Sequence, residues 1–133
     1  MLTRIHQFTD NLRSTPGRKN KFMLISTAIG VLANLGAWIL ILIRLRPILS
    51  SLPPDQSFIP LHYNIYFGVD LFGQWQRIFI MPGIGLAILI INAILALSLF
   101  NKKKMLAYLL TGIAGAIQIF VLIATVLVIL INI

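Results

Sequence analysis

Residues 52–75 read LPPDQSFIPLHYNIYFGVDLFGQW and separate the first of three long apolar runs from the second. Tyr63, Tyr66, Phe67, Phe72 and Trp75 fall within thirteen residues of this stretch. Leu61, Tyr63 and Ile65 alternate with His62, Asn64 and Tyr66, the period of a half-buried strand. In Phe67-Gly68-Val69-Asp70, Gly68 supplies a permissive dihedral for a turn. Residues 71–75 would then return to the membrane, with Gly73 as a second loosening point. This pattern predicts a short strand or hairpin on the outer face of a bilayer, with Trp75 and the tyrosines at headgroup level. Between apolar runs, such a stretch decides the fold: an all-α membrane protein, three transmembrane helices and one structured extracytoplasmic loop.

Composition places the chain in the same class. Of 133 residues, 59% are hydrophobic and 11% charged, and the mean hydropathy is +0.95. A soluble domain carries about a quarter charged residues. Residues 22–43 form the first span and hold no charge. At ~1.5 Å per residue the run crosses a ~30 Å hydrocarbon core. It is too long for a signal-peptide apolar region and no cleavage-type site follows, so it reads as a retained anchor. Arg44, Arg46 and Pro47 should end its helix, because proline lacks the amide hydrogen and crowds the preceding turn.

Residues 44–77 form the extracytoplasmic loop. Residues 78–100 form the second span, begun through Met81-Pro82-Gly83, where a first-turn proline is tolerated. Residues 101–104 are a tight turn carrying Lys102, Lys103 and Lys104. Residues 105–131 form the third span, ~40 Å if helical, so it must tilt or project. Residues 132–133 then lie outside. Ahead of the first span, residues 1–21 are basic, and Leu2, Ile5, Phe8 and Leu12 recur at helical spacing. They predict an amphipathic helix on the membrane surface, broken at Thr15-Pro16-Gly17.

Eight of the 11 Lys and Arg lie in the N-terminal tail and the 101–104 turn. Arg44, Arg46 and Arg77 lie on the loop side. The imbalance places the N-terminus and the lysine turn in the cytoplasm, and the loop and C-terminus outside. The net charge of +8 thus serves orientation and attraction to anionic lipid. Nucleic-acid binding would need a basic soluble face, which this chain lacks. With no cysteine, disulfides, thiolate catalysis and cysteine-based metal sites are excluded.

Each span carries one interior amide: Asn34, Asn92 and Gln118. An unpaired amide in hydrocarbon is costly, so each needs a partner. Small residues frame them: Gly30 and Ala37 in span one, Gly85 and Ala96 in span two, Thr111 and Gly115 in span three. Such faces let helices approach closely, and amides then bond across them at about 0.6–2 kcal/mol each. These nine residues are the helix-packing candidates, acting within one copy, toward a second copy, or toward a larger membrane complex. A polar track for a small solute or ion is the competing reading. No span holds Asp, Glu, Lys or His, the residues coupled transport ordinarily uses.

In the loop, His62, Asn64, Tyr66 and Asp70 are the recognition candidates, with Gly68 shaping the turn. Asp55 and Asp70 are expected to pair with Arg44, Arg46 or Arg77, or those arginines to meet lipid phosphate. His62 with Asp70 could also form an acid–base pair. Ser50, Ser51 and Ser57 sit in a Pro-rich segment and provide no matching nucleophile. One histidine and two aspartates without ligand spacing do not make a zinc or calcium site. No enzyme activity, cofactor or metal is expected.

Leu52-Pro53, then Ile59-Pro60-Leu61-His62-Tyr63-Asn64, then Gly68 and Asp70, resembles the segment LP…IP-x-H-[FY]-N…G…D. That segment lies between the first two spans of a bacterial membrane domain of unknown function. The domain also forms the N-terminal part of SdpI-type immunity proteins, which resist a secreted peptide toxin. Here Phe72-Gly73-Gln74-Trp75 replaces the family's lysine-containing stretch, and one further span follows where immunity proteins carry several. The resemblance implies a bacterial plasma-membrane protein whose outer loop is the specified part, in a family with no established catalytic activity. The expected role is non-enzymatic: an outer loop that binds or senses a protein, peptide or lipid. The alternatives are a structural or oligomeric subunit and a small transporter.

Overall fold

The computed structural model describes residues 2–53 and 58–133. Asp55 and Ser57, and the side chains of Leu2, Phe8 and Tyr63, lie outside the described part. Helix α1 covers Leu2–Ser14, and a 3-10 turn covers Pro16–Lys19. Proline opens that turn, where its missing N–H removes no bond. Helix α2, Lys21–Leu40, is capped by Asn20, whose side chain accepts from the Met23 amide at 3.2 Å.

The helix does not stop at Arg44–Pro47. It passes through a π turn, Ile41–Leu45, and continues as α3, Arg46–Leu49. The Arg46 amide reaches back to Ile41 O. A standard turn would drive the Pro47 ring into the carbonyl four residues earlier. The wider π turn relieves that clash and keeps the backbone bonded, which an apolar surrounding demands. Ile41 and Leu45, four residues apart, both lie on the buried face.

Next come strands β1, Phe58–Asn64, and β2, Gly68–Gln74. A 3-10 turn, Trp75–Phe79, leads into α4, Ile80–Leu99, and a tight turn leads into α5, Lys104–Asn132. Both Lys102 N and Lys103 N bond to Leu99 O in that turn. Three helical stretches are long and apolar enough to cross a membrane: Lys21–Ile48, Trp75–Leu99 and Lys104–Asn132. The architecture is therefore three membrane-spanning helices with an antiparallel hairpin between the first two. Helix α5 packs along both α2 and α4, which touch each other less.

Two apolar clusters sit at opposite ends of the bundle. At the basic end, Met23, Ala96, Phe100 and Ala107 pack with Tyr108. Phe22 and Phe100 meet the Tyr108 ring edge-on at 5.5 and 6.0 Å. The Asn20 amide donates to the Tyr108 hydroxyl at 3.0 Å, joining the start of α2 to the start of α5. At the hairpin end, Ile41, Leu45, Ile59, Ile78, Val128 and Ile129 form the second cluster. Ile59 belongs to β1, so this cluster holds the hairpin on the bundle. The Asn132 amide adds a bond to Pro60 O at 3.0 Å. A two-stranded ribbon alone is marginal in water, and these contacts supply the missing support.

Candidate functional site

Two groups of polar side chains stand apart from the apolar clusters: one between the helices, the other on the hairpin. Within the bundle, Asn34 and Gln118 meet. Asn34 Nδ2 donates to Gln118 Oε1 and to Pro82 O, both at 2.9 Å. Gln118 Nε2 donates to Gly85 O at 2.7 Å. Trp38 Nε1 completes the set by donating to Asn34 Oδ1 at 3.1 Å. Asn34 is 2% exposed and Gln118 0%. A backbone carbonyl has two lone pairs, so Pro82 and Gly85 can accept these bonds as well as helical ones. Gly85 makes the approach possible: a Cβ there would stand 2.7 Å from Gln118 Oε1.

Asn92 does not join them. It lies about 10 Å along the helix axis from Gly85, and its amide donates to Ile88 O of its own helix at 2.9 Å. The three amides therefore form no common level, and the polar track they would line is absent among the described residues. The small-residue faces are likewise used inside the chain. Gly30, Ala37, Gly85, Ala96, Thr111 and Gly115 are all buried. At Gly30 a Cβ would stand 3.4 Å from the Gly115 Cα, and at Gly115 it would stand 2.8 Å from the Ser26 carbonyl oxygen. The Thr111 hydroxyl donates to Ala107 O one turn back. These residues join α2, α4 and α5 of one copy to each other.

The hairpin is built differently. The turn lies at residues 65–67, not at the Phe67–Asp70 position that the sequence predicts. Asn64 pairs with Gly68, and Gly68 has φ +73°. That is the three-residue hairpin loop closed by a left-handed residue, where glycine costs least. Asn64 Oδ1 accepts from the Tyr66 amide at 2.9 Å, an Asx turn. Asn64 and Gly68 thus hold the turn, and the residues they hold are left out in the open. Ile65, Tyr66 and Phe67 are 86%, 88% and 83% exposed. Ile65 is a turn residue here, not part of the inward face of a strand.

The register slips twice. Pro60 pairs with Phe72, His62 with Leu71, and Tyr63 with Val69. Leu61 on β1 and Asp70 on β2 are therefore the extra residues of two bulges, which re-aim side chains. Pro60 cannot donate to the ladder, which favours a bulge beside it. The second bulge sets Asp70 beside His62, with Nδ1 to Oδ1 at 2.6 Å. His62, not one of the arginines, is therefore the partner of Asp70 among the described residues. Both side chains are more than a third exposed, so the pair ties the two strands at their solvated face. Among the described residues no group of three His, Cys, Asp or Glu could hold a metal ion.

Trp75 opens the second membrane-spanning stretch and is half-buried. It packs against the hairpin-end cluster, edge-on to Phe79 at 6.2 Å, while Phe79 stacks on Trp38 at 5.3 Å. Trp38 and Asn132 make cross-element hydrogen bonds or support them, and the sequence reading does not single them out. The signal for Trp38 is its place one turn after Asn34. For Asn132, at the end of α5, no local signal exists. A scan of protein-family models and searches of curated proteins and of solved structures returned no match to this chain.

Proposed function

We propose that this protein is a membrane-embedded recognition module whose hairpin tip, Ile65-Tyr66-Phe67, docks on a partner protein or peptide at the outer membrane surface. One observation carries the reading: three consecutive large apolar residues, each more than four-fifths exposed, are displayed on a turn locked by Asn64 and Gly68. Exposed apolar patches mark interaction sites, and aromatic anchors dominate binding energy. A preformed turn also lowers the ordering cost of association. In this reading His62 and Asp70 brace the strands, and Tyr66 is the central contact. The resemblance of the loop to the SdpI-type segment supports the same assignment. The basic end, with Lys102–Lys104 and the N-terminal cations, faces the cytoplasm by the positive-inside rule, which puts the hairpin outside.

The test is photocrosslinking from position 66 in native membranes. A discrete heavier adduct with another protein is the expected result. Adducts to lipid alone would overturn the reading and make the tip a membrane anchor. Adducts at multiples of the protomer mass would identify the partner as a second copy.

A further inference from the structure

Beneath the hairpin, where α4 and α5 meet, runs a groove of ≈ 400 Å³, within the about 300–1,000 Å³ of small-ligand sites. Leu61 and Leu71 roof it, Ile80 and Ile84 of α4 form one wall and Val128 of α5 the other, and Arg77 stands at its hairpin end. The bulge on β1 makes Leu61 the unpaired residue of its strand, and Leu61 serves here as roof. Thr125 also lines the groove, but its hydroxyl donates to Val121 O of its own helix at 2.8 Å. The lining is thus apolar in effect, with one cation at one end.

The walls are the first turns of one membrane-spanning helix and the last turns of another, so the groove opens sideways into the bilayer. Ile80 and Ile84 are both more than half exposed toward that side. Among the described residues Arg77 has no carboxylate partner. A cation at the end of an apolar channel that descends about 10 Å from Arg77 to Ile84 matches one molecule class: a phosphate with an alkyl chain below it. We infer that this groove holds one phospholipid, its phosphate on Arg77 and one acyl chain between Leu61, Leu71, Ile84 and Val128. Guanidinium suits phosphate through paired N–H donors.

The lipid site is independent of what the tip binds. It is tested by native mass spectrometry of the full chain, released from bilayers of phosphatidylglycerol and phosphatidylcholine in equal parts. One phospholipid retained per protomer is expected. Ile84→Trp, at a position exposed in the bundle, fills the groove and should abolish retention of both lipids. Ile113→Trp makes the same change at another exposed position of the bundle and should leave retention intact. Arg77→Gln should lower phosphatidylglycerol retention about fivefold, the effect of one interfacial cation, and Arg77→Lys should restore most of it. Circular dichroism confirms that each variant folds, and Leu71→Trp fills the groove from the hairpin side if Ile84→Trp does not. No lipid retained by the wild-type chain, or equal loss from Ile84→Trp and Ile113→Trp, would overturn the assignment and leave only annular lipid.

Discussion

Asn34 and Asn64 are the same side chain in opposite surroundings. Asn34 spends both amide hydrogens on Gln118 and Pro82 and accepts from Trp38, so no donor of it is left for a ligand. Asn64 makes one bond to the Tyr66 amide, and the turn it secures projects three large apolar side chains away from the protein. The bundle interior is closed and the hairpin is open. The cause lies in the two solvents. In hydrocarbon every polar valence must be met from within the protein, whereas at the surface water and headgroups meet whatever the fold leaves over. Apolar side chains left exposed by a rigid turn are then unexplained by folding, and that is the physical basis of the recognition role proposed for the hairpin.

The largest expected effect would break the closed half of this contrast. Gly115→Leu places a side chain against the Ser26 backbone, which no rotamer change can move. It should destabilise the bundle by about 3 kcal/mol, read as a loss of helical signal at lower denaturant in mild detergent. An unchanged unfolding midpoint would show that α2 and α5 do not meet at this point. The effect should appear in the single copy, whatever the oligomeric state.

A smaller effect separates the two asparagines of the spans. Asn34→Leu strands the Trp38 N–H, one lone pair of Gln118 and the accepting carbonyl of Pro82. It should cost about 2 kcal/mol. Asn92→Leu removes only a bond within one helix and should change stability by less than about 0.5 kcal/mol. Equal costs in the same unfolding titration would mean that Asn92 has a partner across the bundle after all.

The smallest effects belong to the open half. Gly68→Ala forces a Cβ into the left-handed region and should cost about 1 kcal/mol. His62→Ala and Asp70→Ala, whose pair is solvated, should each cost no more than about 1 kcal/mol, and the double variant little more than either. Hydrogen exchange at the Tyr66 amide should report all three, since it follows the turn directly. If Gly68→Ala leaves that amide as protected as before, the turn is not held in the way described here.

The location of the spans is legible in the sequence because hydrophobicity along the chain is a one-dimensional property. The uncharged run after Lys21 and the lysines at 102–104 mark bundle ends without knowledge of any contact. The small residues on each helix are also legible as packing faces, since close backbone approach requires them. Which copy they face is not. That outcome depends on how the helices rotate and slide, and the contact of Gly115 with Ser26 settles it within the chain. In the loop, the aromatic content and Gly68 are visible as a hairpin signal. The position of the turn, which begins two residues earlier than the sequence suggests, follows from the Asn64 bond and the two bulges, which period-two reading cannot detect.

The sequence by itself determined the class of solvent, the number of membrane-spanning helices and the presence of a structured segment between the first two. Each of these follows from the transfer free energy of a run of side chains, which needs no partner to be evaluated. Only the tertiary structure decided that the first spanning helix continues through Pro47, that Asn34 meets Gln118 while Asn92 turns back on its own helix, and that Asp70 meets His62. These depend on the axial offset between antiparallel elements, and an offset of one turn, about 5 Å, exceeds the reach of a hydrogen bond.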